Sequence, residues 1–168
     1  MTAITVKAIK TSQEIDHLYE LIKIIWPEVF TTLLGEAHVA YMLDNYQSPE
    51  KIKSEIDAGV VYYFVEAEEE IVGYLAYDLK ADHMYISKLY LLNSVRGKGL
   101  SRSMLDWLEH TALDNHKDKL MLNVNRFNAR AISVYKHMGF ESMAEIDTPF
   151  GDFMLTDYRM EKQLSSKF

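Results

Sequence analysis

Ser94-Val95-Arg96-Gly97-Lys98-Gly99-Leu100-Ser101-Arg102 is the stretch that decides how this chain is read. It follows a run rich in strand formers, residues 84–92, and opens a segment, 99–114, in which Leu100, Met104, Leu108 and Ala112 recur at helical spacing. Two glycines one residue apart let the backbone turn tightly and admit a ligand close to the main chain. The first amides of the following helix have no partner within it and point out of its end. The helix dipole adds about half a positive charge there, so such an end suits phosphate. Between Asp82 and Asp106 the chain carries no acidic residue, yet it holds Lys88, Arg96, Lys98 and Arg102. On its own, the run also reads as a glycine turn with solvated basic residues. It is not a P-loop, and the dinucleotide pattern Gly-x-Gly-x-x-Gly is not met.

Working outward toward the amino terminus, residues 60–66 and 71–79 are rich in β-branched and aromatic residues, with Glu68-Glu69-Glu70 between them. That pattern predicts an antiparallel hairpin beside the 84–92 strand. Residues 3–10 predict a first strand. A helix follows from Thr11, with Ser12 as its cap and Ile15, Leu18, Tyr19, Ile22 and Trp26 at helical spacing. Pro27 is expected to end or kink it. Residues 36–46 and 49–58 read as one or two shorter helices, with Pro49 in a first turn and Gly59 as a stop. Downstream, 119–124 is a strand and 128–138 a helix closed by Gly139 as a left-handed cap. Residues 140–147 and 152–160 supply two last strands. The order β, α, α, β, β, β, α, β, α, β, β implies one α/β (α+β) domain over residues 1–168, a mixed sheet with helices on its faces.

Composition narrows the function. The 168 residues are 48% apolar, enough for one substantial core. A net charge of −7 disfavours nucleic acid and anionic membranes as partners. The absence of cysteine excludes disulfides, thiol catalysis and Cys-ligated zinc. No apolar run reaches the ~18–20 residues of a membrane span, and the first residues lack a secretory h-region. A cytoplasmic protein is the expectation. The six histidines show no metal-ligand spacing, so no metal is expected.

A second signal lies about a helix and a strand further on. Asn128 stands at a helix start, with Ala131, Tyr135, Gly139 and Phe140 following. Asn128 reads as an N-cap whose amide could instead serve a ligand. Tyr135 alone reads as an amphipathic core residue with its hydroxyl at the surface. Together the two signals resemble the GNAT superfamily of acetyl-CoA-dependent N-acetyltransferases. That family's loop carries Arg or Gln, two residues, Gly, one residue, then Gly or Ala; Arg96 to Ser101 fits it except for Ser101 in the last place. Its later pattern, Asn-x-x-Ala-x-x-x-Tyr-x-x-x-Gly-Phe, is met at every position by Asn128 to Phe140.

The resemblance implies a GNAT-like mixed, mostly antiparallel central sheet of about seven strands flanked by about four helices. It implies acetyl-CoA as co-substrate, with Leu89, Tyr90 and Leu91 pairing with the pantetheine arm. The amides from Gly97 through Lys98, Gly99, Leu100, Ser101 and Arg102 would hold the pyrophosphate beside Arg96. Asn128 would face the cofactor arm, and Tyr135 would protonate the departing thiolate. The position where many members carry a base is Ser87 here, so no base is assigned; Glu28, Asp44, Asp82 and His83 are alternatives. The acceptor is expected beside the first helices, with Trp26 and Glu28 as candidate contacts, although Trp26, Phe30 and Tyr41 also read as core. Residues 41–56 and 150–162 resemble a bacterial subgroup that includes spermidine/spermine N-acetyltransferases, which points to a polyamine or another small cationic amine. A peptide or protein α-amine, or a non-enzymatic acyl-CoA-binding module, are the alternatives. The family often forms homodimers through C-terminal strands, here within 152–168.

Overall fold

The computed structural model describes residues 3–165. They form two compact units. The first runs to Asp78 and takes in Lys88–Met104; the second comprises Leu79–Ser87 and the chain from Leu105 onward. The strands are hydrogen-bonded in the order β1-β2-β3-β4-β5-β7-β6, so the seven strands are present. The β4–β5 ladder is parallel, whereas β1–β2, β2–β3, β5–β7 and β6–β7 are antiparallel. These strands are β1 (Thr5–Ala8), β2 (Val61–Ala67), β3 (Glu70–Leu79), β4 (Met84–Leu91), β5 (Lys119–Asn125), β6 (Glu141–Phe150) and β7 (Phe153–Gln163). The described residues hold five α-helices rather than four: α1 (Ser12–Leu34), α2 (Glu36–Asn45), α3 (Pro49–Asp57), α4 (Leu100–Asp114) and α5 (Ala129–His137). The added helix arises because residues 36–57 divide. Ser48 Oγ accepts from Lys51 N–H at 3.2 Å, and Pro49 occupies the first turn of a new helix.

In the first unit, α1 departs from the sequence expectation at both ends. Its N-cap is Thr11, not Ser12. Thr11 Oγ1 accepts from Glu14 N–H, and Glu14 Oε1 accepts from the amides of Thr11 and Lys10, a capping box. These amides hold the exposed Glu14 carboxyl below its ordinary pKa. Pro27 does not end the helix, which continues to Leu34. Trp26 and Phe30 on either side of it are buried, and that burial offsets the lost backbone hydrogen bond.

A polar chain runs through the core of this unit. Trp26 Nε1 donates to Tyr74 Oη (2.7 Å), and Tyr74 donates to Gln47 Oε1 (2.9 Å). Gln47 Nε2 donates to Tyr62 Oη (3.3 Å), which donates to Glu55 Oε1 (2.6 Å). Gln47 is fully buried and also donates to Tyr46 C=O, so its amide is satisfied. The β2–β3 hairpin turns at Glu68 (φ 53°) and Glu69 (φ 67°), two left-handed residues without a glycine. At Gly73 the neighbouring strand comes close: a Cβ there would lie 2.2 Å from the Tyr90 carbonyl oxygen.

In the second unit β5 lies between β4 and β7, and β6–β7 form a long hairpin. Its core includes Leu105, Leu108, Leu120, Leu122, Phe140 and Met160. Gly139 takes φ 97° just past α5, as the left-handed cap requires. Arg126, directly after β5, pairs with Glu145 (3.0 Å) and with Asp147 on β6. Of the C-terminal segment 152–168 expected to serve a dimer, residues 166–168 lie outside the described residues. Among the described residues no helix is long and apolar enough to cross a membrane.

Gly73→Ala should destabilise the protein by about 1–3 kcal/mol, because backbone must move to admit the methyl group. The measurement is the urea midpoint at constant slope, and an unchanged midpoint would show that β3 and β4 separate freely.

Candidate active site

The glycine turn has the geometry that its residues dictate. A short 3-10 turn, Asn93–Val95, leads to Arg96 in extended conformation, then Gly97 (φ 81°) and Gly99 (φ 80°). Both glycines are left-handed, where any side chain strains the backbone. Nothing lies within 4 Å of a Cβ built on either, so their surroundings are open. Ser103 N–H donates to Gly99 C=O (3.2 Å), the first helical bond of α4. The amides of Leu100, Ser101 and Arg102 therefore have no carbonyl one turn back within the helix. No acidic residue occupies this first turn, and Leu100 and Met104 bury the opposite side of the helix. Ser101 is partly exposed.

Arg96 turns back toward the strand. Its Nη2 donates to Leu91 C=O (3.2 Å) and its Nη1 to Asn93 Oδ1 (2.9 Å). Glu28, on α1, accepts the Asn93 N–H through Oε1 (2.9 Å). The acid-free interval of the sequence thus receives a carboxylate from 65 residues away.

Leu89, Tyr90 and Leu91 complete β4. The recorded β4–β5 ladder pairs Met84, Tyr85 and Ile86, and the strand continues beyond it to Leu91. Leu92 N–H donates to Val72 C=O on β3 (2.9 Å). Successive residues alternate in the plane of a sheet, so the Leu91 amide faces the edge of β4 away from β3. The Tyr90 ring packs on Trp26, Phe30 and Tyr74 at centroid distances of 5.6, 6.0 and 5.6 Å. Trp26 is 2% exposed, so it supports Tyr90 from beneath rather than offering a face to a ligand. Lys88 lies on the Tyr90 face of β4 by strand alternation. Burial pulls its pKa below the ordinary lysine value; Glu55 opposes that shift and Lys51 adds to it.

In the second unit, Asn128 caps α5 through Oδ1, which accepts from Ala131 N–H (3.2 Å). Its two amide hydrogens are not used by the cap. Tyr135 is 9% exposed, with its ring against Phe140 at 5.8 Å. Removal from water raises its pKa well above the ordinary 10.0, so the phenol is protonated across the neutral range.

The alternative bases are placed as follows. Asp82 and His83 hydrogen-bond to each other at 2.7 Å, and that bond, helped by Lys119, holds the Asp82 carboxyl below its ordinary pKa. Asp44 is exposed on α2. Ser87 Oγ is buried without a hydrogen-bond partner. Gln47, Tyr62, Tyr74 and Asn93 carry the site's support, and no motif in the sequence marks them. A buried glutamine becomes recognisable only once its partners on two distant strands are known.

The family model described as the acetyltransferase (GNAT) family matches residues 15–140. An uncharacterized N-acetyltransferase of Lactobacillus delbrueckii subsp. lactis is 26% identical over 150 residues, covering 82% of this chain and 87% of that one. The thialysine N-epsilon-acetyltransferase of Bos taurus is 28% identical over 82 residues, 46% of this chain and 48% of that one. The PaiA N-acetyltransferase of Thermoplasma acidophilum, solved in complex with coenzyme A, superposes with a TM-score of 0.79 at 20% identity over 96% of this chain and 99% of that one. A seven-stranded mixed sheet, a glycine turn that opens α4, and a family match across three quarters of the sequence lead to one conclusion: the chain belongs to the acetyltransferase (GNAT) family and is an acetyl-CoA-dependent N-acetyltransferase.

Proposed function

We propose that the protein transfers the acetyl group of acetyl-CoA directly to the primary amine of a small cationic molecule of the polyamine type. The observation that carries the donor half is the left-handed turn at Gly97 and Gly99, which opens α4 and has nothing within 4 Å of a Cβ built on either glycine. A diphosphate there would receive main-chain hydrogen bonds and the positive end of the helix dipole. The pantetheine arm would lie along Leu89–Leu91, with Asn128 amide hydrogens as further donors. A neutral amine attacks the thioester carbonyl, and a backbone amide near Leu91 would stabilise the developing oxyanion. The carbon–sulfur bond then breaks, Tyr135 gives its proton to the thiolate, and the acylated nitrogen releases its extra proton to water, from which Tyr135 is reprotonated. Desolvation that raises the phenol would also penalise a bare thiolate, so transfer is favoured in the same dry setting. No covalent enzyme intermediate is required.

The net charge of −7 supports a cationic acceptor through long-range attraction. Similarity to a thialysine N-epsilon-acetyltransferase supports a small amine. A homodimer through the C-terminal strands and a cytoplasmic setting belong to the same proposal; among the described residues β6 ends the strand order and has no further strand on its outer edge.

Release of free thiol from acetyl-CoA should occur with spermidine or spermine, and more slowly with diamino acids or with peptides bearing free amino termini. Preference for the diamino acid would shift the assignment to amines that also bear a carboxylate, and no release with any amine would leave an acyl-CoA-binding module. Tyr135→Phe should lower turnover by about 10²–10⁴-fold with little change in coenzyme A affinity; an unchanged rate would remove Tyr135 as the acid. Because burial raises this phenol above the ordinary 10.0, turnover should show no alkaline fall from its ionisation below that pH. A loss near pH 9 that disappears in Tyr135→Phe would contradict the assignment.

A further inference from the structure

We infer that Glu28 is a positioning residue for the diphosphate-binding turn, acting through Asn93 and Arg96. This rests on the acetyl-CoA reading above and adds a residue to it. Glu28 Oε1 accepts the Asn93 N–H at 2.9 Å. Asn93 is otherwise committed to the turn: its side-chain oxygen accepts from Arg96 Nη1, and its carbonyl accepts the Arg96 N–H at 3.3 Å. Arg96 in turn reaches the Leu91 carbonyl. One carboxylate on α1 thus fixes the residue from which Arg96, Gly97 and the first amides of α4 are hung.

The base of this strut is rigid. Trp26, two residues before Glu28, is held by its hydrogen bond to Tyr74 and by its packing on Phe30 and Tyr90. A charge acceptor seated on an immobile helix orients an amide better than solvent does. The charge itself acts in the opposite sense. A carboxylate beside a site for a diphosphate repels the ligand, more at low salt than at high. The hydrogen bond and the charge of Glu28 therefore contribute with opposite signs, and conservative variants separate them. Glu28→Gln keeps an oxygen acceptor and removes the charge. Glu28→Asp keeps the charge and withdraws the acceptor by one methylene.

The test is calorimetric binding of coenzyme A, and of pantetheine, which has the same arm without the diphosphate. Glu28→Asp should weaken coenzyme A about threefold to tenfold, the range for one lost hydrogen bond, and raise KM for acetyl-CoA in parallel, whereas Glu28→Ala, which loses the repelling charge as well, should weaken it less than Glu28→Asp does. Glu28→Gln should bind coenzyme A at least as tightly as the parent protein, with its advantage growing as salt falls. Pantetheine affinity should be the same in all four proteins. Equal loss in the Gln and Asp variants, or parallel loss for pantetheine, would overturn the inference, as would coenzyme A affinity within twofold of the parent in Glu28→Asp. Thermal melting of each variant shows that the fold is kept. Failure of the parent protein to bind coenzyme A would instead overturn the acetyl-CoA reading, and the two failures are distinct.

Discussion

A backbone that turns left-handed at Gly97 and again at Gly99 is the constraint on which the ligand-facing end of the first unit depends. A residue with a Cβ at φ near +80° would relax toward negative φ and rotate the chain that enters α4. The amides of Leu100 to Arg102 would then point elsewhere. Leu100 and Met104 hold the helix from its buried side, so its register cannot follow such a rotation without exposing apolar surface. Space and φ make separate demands here. Nothing crowds the two glycines, and their backbone direction alone excludes other residues.

Two different environments would serve the two halves of the proposed chemistry. The glycine turn is open, exposed and fringed with Lys98 and Arg102, which suits a strongly hydrated anion exchanging water for main-chain donors. Tyr135 is enclosed against Phe140, where the loss of water keeps its hydroxyl proton bound. Binding wants accessible dipoles, whereas proton donation wants a dry phenol. The chain places these on different helices, α4 and α5, and in different compact units.

Much of this was legible in the sequence, for local reasons. Runs rich in β-branched and aromatic residues predict β2 and β3, a strong strand-forming run predicts β4, and Gly139 turns left-handed just past α5, where the cap belongs. The errors are also local in cause. Pro27 reads as an end or a kink because its ring removes one helix bond, and the helix does not end there because burial of Trp26 and Phe30 outweighs that loss. Residues 36–57 divide because Ser48 and Pro49 together are a helix start, a signal present in the sequence but weighed there as one of two options. Thr11 was eligible as a cap as much as Ser12, and Glu14 three residues on decides for Thr11. What could not be read is long-range pairing. Glu28 and Asn93 are 65 residues apart, and Trp26 and Tyr74 are 48 apart. No spacing rule joins them, so an interval that looks free of acid in the sequence has a carboxylate at its edge in space.

The chain of bonds from Trp26 to Glu55 has a further property. An indole can only give a hydrogen and an ionised carboxylate can only receive one. With such ends, the three groups between them have a single consistent arrangement: each hydroxyl points toward Glu55, and the Gln47 amide takes one of its two flips. The series is a one-way street. It leaves the aromatic floor under Tyr90 with no degenerate proton pattern to wander into, so its orientational disorder is frozen by two residues at opposite ends rather than by each pair separately.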